Sequence, residues 1–132
     1  MNNWTLKTKL AVLWIFLAVS MSAYFMLYLM MPGLIEGVIV GVIDETQISE
    51  ELLLVYAIFW LVPLTMAFLS LILKDSINRW VNLIMGAIWL ILGTMISVTN
   101  GYISIAHLLI DIALNVVCVI IIWHAWKWPK QT

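Results

Sequence analysis

The chain has 132 residues, of which 65% are hydrophobic and only 10% charged, with a mean hydropathy of +1.12. A soluble domain is about 45–50% apolar and about 25% charged, and so short a chain cannot hide this much apolar surface in a core surrounded by water. The composition excludes a soluble enzyme, a secreted disulfide scaffold and a disordered regulator, and six basic residues are too few to suggest a nucleic-acid partner.

Taken in chain order, four stretches meet the requirement of about 20 apolar residues for a spanning helix: 10–31, 52–73, 81–98 and 103–126. They predict an all-α membrane protein, a four-helix antiparallel bundle forming a single domain over 1–132. The first span follows Lys7 and Lys9 and could be mistaken for a signal peptide. Its apolar run continues to Met31, beyond the 7–15 residues usual for such a core, so it is expected to remain uncleaved.

Between the first two spans lies an apolar segment too short to cross, 33–43, in which Gly33, Gly37 and Gly41 recur every four residues. On a helix these glycines would form one stripe suited to close packing. A short helix or lid on the outer end of the bundle is expected, interfacial or re-entrant, with Pro32 turning the chain before it. Ser49 is placed to cap the second span, with Glu50 and Glu51 favourable in its first turn. In mid-span, Pro63 should kink the helix and free the Phe59 carbonyl, which Thr65 or a neighbouring helix could satisfy. Gly86 and Gly93, seven apart in the third span, predict a face for close packing inside the bundle, or secondarily a dimer seam.

The charges sort by side. Lys7, Lys9, Lys74, Arg79, Lys127 and Lys130 fall in the two tails and the second connection, accompanied there only by Asp75. Glu36, Asp44, Glu45, Glu50 and Glu51 occupy the first connection. The positive-inside rule then predicts a multi-pass protein of the cytoplasmic (inner) membrane with both termini in the cytoplasm. Trp4, Trp80, Trp123, Trp126 and Trp128 cluster near the basic interface, where an indole is at home, and Tyr24, Tyr28, Tyr56 and Tyr102 fall in the other half. The run from Trp123 to Lys130 reads as an interfacial anchor in which His124 is solvated.

One acid remains inside a span. Asp111 lies about eight residues, or about 12 Å, into the fourth span. His107 and Asn115 flank it at four-residue spacing on one helix face, with Cys118 near the same stripe. Depth arithmetic puts Tyr24, Tyr28, Tyr56 and Thr94 at comparable levels, so these residues could form a polar cluster with His107, Asp111 and Asn115. An ionisable residue in a span points to function by default. Against that stands a plain alternative: His107 and Asp111 bond each other and lock the bundle. Two ligands are too few for a closed metal site, and no cofactor is expected. The lone Cys118 forms neither a disulfide nor a zinc motif. No nucleophile–base pair is recognisable; Ser20, Ser22, Ser70, Thr94 and Ser97 read as hydroxyls bonding back to their own helices.

Several segments resemble a family of small prokaryotic four-helix integral membrane proteins of unknown function, also loosely similar to DoxX-like proteins. They are Lys9 to Phe16, Asn78-Arg79-Trp80-Val81-Asn82 with Gly86, and Trp123 to Trp128, together with Met30-Met31-Pro32 and Gln47-Ile48-Ser49. The resemblance implies a four-helix bundle and carries no chemistry. It departs along the first span, where the family pattern has polar and acidic residues and this chain has Ser20, Met21, Phe25 and Met31. Small multidrug transporters are similar in size, but depend on a glutamate in a first helix that here contains no acid.

The sequence therefore supports a non-enzymatic structural or accessory membrane protein, partnered by lipid and by a second copy or another membrane protein. The alternative is a small proton- or cation-coupled transporter using Asp111 and His107. A third reading is a DoxX-like accessory to quinone redox chemistry.

Overall fold

A computed structural model describes residues 3–100 and 103–128. Four long helices are apolar enough to cross a membrane. In chain order the elements are α1 (Asn3–Leu29), a short α2 (Leu34–Ile39), β1 (Val42–Ile43), β2 (Thr46–Gln47), α3 (Glu50–Ile72), α4 (Asp75–Asn100) and α5 (Ile105–Trp126). The all-α, four-span architecture expected from the sequence is present. Boundaries moved because a helix need not be apolar throughout: the first span already begins at Asn3, well ahead of its apolar stretch. The third span starts at Asp75, six residues before its apolar stretch, with an acid in the first turn where the helix dipole favours one. The fourth starts at Ile105, behind a Ser104 cap whose hydroxyl accepts the His107 amide at 3.2 Å.

α1 is the central helix. Leu6, Leu10, Ala11, Trp14, Leu17 and Ala18 are buried at three- and four-residue spacing and form its inward stripe. That stripe packs on α3 and α5, and α4 packs on α5. Around the ring the order is thus α3, α1, α5, α4, and α3 and α4 share much less packing than the other neighbours. Outward positions such as Val12, Phe16, Leu54, Phe68, Ile91 and Val119 are apolar and exposed, a surface that a bilayer covers and water would not.

The glycines of α4 do what their spacing predicted. A Cβ on Gly86 would lie 3.0 Å from Ile122 Cγ1 and 3.3 Å from Ile121 Cγ2, and one on Gly93 would lie 3.2 Å from Asn115 Oδ1. Both let α5 approach, so this face is internal packing. α3 runs without interruption through Pro63, which is buried, while Thr65 faces outward. Four of the five expected hydroxyl back-bonds are present: Ser22 to the Ala18 carbonyl, Ser70 to Met66, Thr94 to Leu90 and Ser97 to Gly93; Ser20 makes none among the described residues.

The glycines of the outer segment form no stripe. α2 covers only Leu34–Ile39, and Gly33 and Gly41 lie outside it with φ of +87° and +86°. They are chain-reversal points in the left-handed region that glycine alone enters freely. Gly37 packs against its own loop, where a Cβ would lie 2.9 Å from the Val42 carbonyl oxygen. The following β1–β2 hairpin, with Val42 opposite Gln47, was not foreseen. Its turn residues Asp44 and Glu45 both have positive φ, as a tight two-residue hairpin requires. Ile43 is buried, and Tyr28 Oη donates to the Asp44 carboxylate, tying the hairpin to α1. The Ser49 cap is present, its hydroxyl accepting the Leu52 amide at 3.2 Å.

At the basic end Trp80, Trp123 and Trp126 are exposed as expected of interfacial indoles, but Trp128 is buried. The chain folds back after α5, with the Trp128 amide donating to the Ala125 carbonyl, and the residue joins the core cluster that also holds Leu6 and Leu10. Arg79 reaches across from α4 to donate to the carbonyls of Ala125 and Trp126. His124 is half-buried against the Trp123 ring. The Trp4 side chain, Tyr102 and Lys130 lie outside the described residues.

Candidate functional site

Two polar groupings occupy the bundle, one in each half, and they differ in how their hydrogen-bonding capacity is met. In the basic half, Asn82 of α4 accepts from Trp14 Nε1 at 2.7 Å and from Ser70 Oγ at 3.3 Å. Its amide donates to Asn78 Oδ1 at 2.7 Å and to the Asn78 carbonyl at 2.9 Å. Asn78 in turn donates to the Ser70 carbonyl at 2.7 Å. All four side chains are fully buried, and each has a partner. Nearby, Lys7 donates to the Leu73 carbonyl at 2.9 Å and pairs with Asp75 at 3.2 Å. This node ties α1, α3 and α4 together, and the hydrogen-bonded lock expected at His107 and Asp111 is found here instead. The sequence offered two signals that were not read as a node: asparagines four apart across the start of the third span, and an indole N–H at Trp14 in an otherwise apolar run.

In the acidic half lies a cavity of about 340 Å³ lined by all four spans. Tyr24, Phe25, Tyr56, Phe59, Trp60 and Trp89 supply an aromatic wall. Phe25 lies edge-on to Trp60 at 5.3 Å and to Tyr56 at 5.9 Å, and Trp60 is anchored by Nε1 donating to Ser22 Oγ at 2.9 Å. On the α5 side the lining is Asp111, Leu114, Asn115 and Cys118. Asp111 is half-buried and is the one charged residue of the lining. No hydrogen bond or ion pair to its carboxylate occurs among the described residues. With α5 starting at Ile105, Asp111 sits six residues in, about 9 Å from the helix end, shallower than the sequence arithmetic put it.

The predicted cluster is brought together in part. Tyr24, Tyr56, Asp111 and Asn115 line the cavity. His107 does not; it is buried behind Tyr24, their ring centroids 4.7 Å apart and edge-on. Its Nδ1 is 2.7 Å from Ser104 Oγ, and its Nε2 has no partner among the described residues. The direct His107–Asp111 bond is therefore absent, because His107 turns toward its own helix cap. Tyr28 is taken by Asp44 at the hairpin. Thr94 is exposed and bonded to its own helix.

A cavity of this size is in the range that holds small organic molecules. An aromatic wall facing a single carboxylate is chemically suited to a compact organic cation, through ring faces and one ion pair.

The fold and this arrangement define a small protein of four helices able to cross a membrane, with a cavity between them. The chain belongs to a family of unknown function, DUF6326, whose pattern matches residues 2–132. No curated protein and no solved structure matches it.

Proposed function

We propose that this is a multi-pass protein of a prokaryotic inner membrane that binds a lipophilic organic cation in the cavity and acts as its carrier, with Asp111 as the counter-charge. The observation that carries the reading is the Asp111 carboxylate, unpartnered on the wall of an aromatic cavity. A buried or half-buried carboxylate within a membrane must either pair or take up a proton. Alternation between a bound cation and a proton gives the carrier a coupling step. His107 supports the site by holding the Tyr24 ring edge-on. Binding and release of this kind require no catalytic group, so the protein is read as non-enzymatic.

Orientation rests on charge. The basic residues gather at one end and the acidic connection at the other, which supports a reading with both termini in the cytoplasm and the cavity in the outer half of the bilayer. Exposed Ile35, Ile39 and Val40 then lay α2 on the outer interface.

Equilibrium binding of tetraphenylphosphonium to the purified protein tests the reading. Saturable binding by the wild type, weakened at least about tenfold in Asp111→Asn, is expected; that loss corresponds to about 1.4 kcal/mol. Equal binding by the two proteins refutes it. A structural or accessory role, alone or with a partner membrane protein, draws on the satisfied Trp14–Asn82 node and predicts no saturable binding in either protein.

A further inference from the structure

We infer that the ligand is a solute dissolved in the bilayer, and that it enters the cavity sideways through a mouth between α3 and α4 framed by Val55 and Ile96. This rests on the reading of the cavity as a ligand site and adds the route and the class of solute. Of all the lining residues, Val55 and Ile96 alone are exposed, at 53% and 43%. One belongs to α3 and the other to α4, so the cavity meets the outside where those two helices face each other. That seam is the thinly packed one of the ring. Every other neighbouring pair around the cavity is closed: α1 packs on α3 and on α5, and the α4 glycines bring α5 into contact.

Depth agrees. Val55 is five residues from the start of α3 and Ile96 four from the end of α4, so the mouth lies about 6–8 Å inside the helix ends. That level belongs to lipid chains and is close to the depth of Asp111. Farther in, Phe59 and Trp89 meet across the same seam with centroids 5.2 Å apart and close it toward the basic half. The frame of the mouth is aliphatic, with no polar group to hold water. A hydrophilic cation would have to cross lipid to reach it, whereas an amphiphilic one partitions into that layer and arrives already oriented.

Cys118 is the sole cysteine of the chain, is itself nearly fully buried, and lines the cavity. It therefore reports on access. In proteoliposomes, N-phenylmaleimide, which dissolves in the bilayer, is expected to modify Cys118, read as a mass shift of the intact protein. A sulfonated, impermeant maleimide is expected not to, although both modify the unfolded chain. Val55→Trp, at an exposed position, should slow the apolar reagent about tenfold by narrowing the mouth. Leu53→Trp, exposed but outside the lining, should leave the rate unchanged. Equal labelling by the two reagents, no labelling of the folded protein by either, or equal rates in the two tryptophan variants would each overturn the lateral route. Protection of Cys118 by tetraphenylphosphonium in the wild type but not in Asp111→Asn tests the ligand reading separately. If protection is absent while apolar labelling and the Val55 effect remain, the route stands and the cation reading falls.

Discussion

Replacing Asn82 with leucine should remove the main polar tie between α1 and α4 while keeping the branched outline of the side chain, though with added volume at a filled site. Asn82 accepts from Trp14 Nε1 and Ser70 Oγ and donates to Asn78. Ser70 keeps its bond to the Met66 carbonyl, so two groups are orphaned: the Trp14 N–H and the Asn78 side-chain oxygen. A buried orphan costs about 1–3 kcal/mol. Within membranes, side-chain hydrogen bonds between helices average only about 0.6 kcal/mol and reach about 1.7, because the unfolded chain in lipid also finds partners. With two orphans at a fully buried site, a loss of about 2–3 kcal/mol is expected. Trp14→Phe removes the donor, leaves Asn82 Oδ1 the Ser70 hydroxyl and opens a cavity beside a fully buried ring, so about 2–3 kcal/mol is expected there. The coupling between the two changes should be about 0.6–1.7 kcal/mol. Reversible unfolding in mixed micelles, followed by helical circular dichroism, measures all three. A stability for Asn82→Leu within about 0.5 kcal/mol of the wild type, or a coupling near zero, would show that the node does not hold the helices together.

Two glycine substitutions probe the packing. Gly86→Leu drives a side chain into Ile121 and Ile122; overpacking of this kind costs about 1–3 kcal/mol, and the same unfolding assay should register it, whereas an unchanged midpoint would place α4 and α5 farther apart. Gly37→Ala sets a Cβ against the Val42 carbonyl oxygen, and α2 has no buried residue of its own. Hydrogen exchange should therefore quicken at the amides of Val40, Gly41 and Ile48, which bond within this segment, while the spans keep their protection. Loss of protection along α1 or α3 would instead mean that the segment braces the bundle.

The spans were legible because hydropathy is a property of each helix alone, and the charge asymmetry was legible because a handful of ions is easily sorted by segment. The face carrying Asp111 and Asn115 was likewise readable from its four-residue spacing. What spacing on one helix cannot supply is the neighbour. His107 shares that face but lies nearer the helix end, where the Ser104 cap and the Tyr24 ring claim it. The Trp14–Asn82 bond joins residues 68 apart, and no local pattern pairs them. The glycines at 33, 37 and 41 misled for the opposite reason: a helical period was present, but two of the three adopt positive φ and flank the short helix rather than ride on it. The hairpin escaped notice because strands of two residues show no alternation, and Asp44-Glu45 lacks the glycine that usually marks such a turn.

The two polar groupings give the bundle a mechanical polarity. At the basic end α3 and α4 are joined by a short turn whose Leu73 carbonyl accepts from Lys7 and from Asn78, with Asp75 paired to Lys7 beside it. Asn78 and Ser70 then bridge the two helices directly. Toward the acidic end, the Phe59–Trp89 ring contact is succeeded by the mouth at Val55 and Ile96. Helices pinned at one end and sparsely joined at the other can separate only by pivoting about the pinned end. Any widening that admits a solute is then largest at the mouth and vanishes near Asn82. The unsatisfied carboxylate and the satisfied asparagines are thus divided between the part of the bundle that can open and the part that cannot.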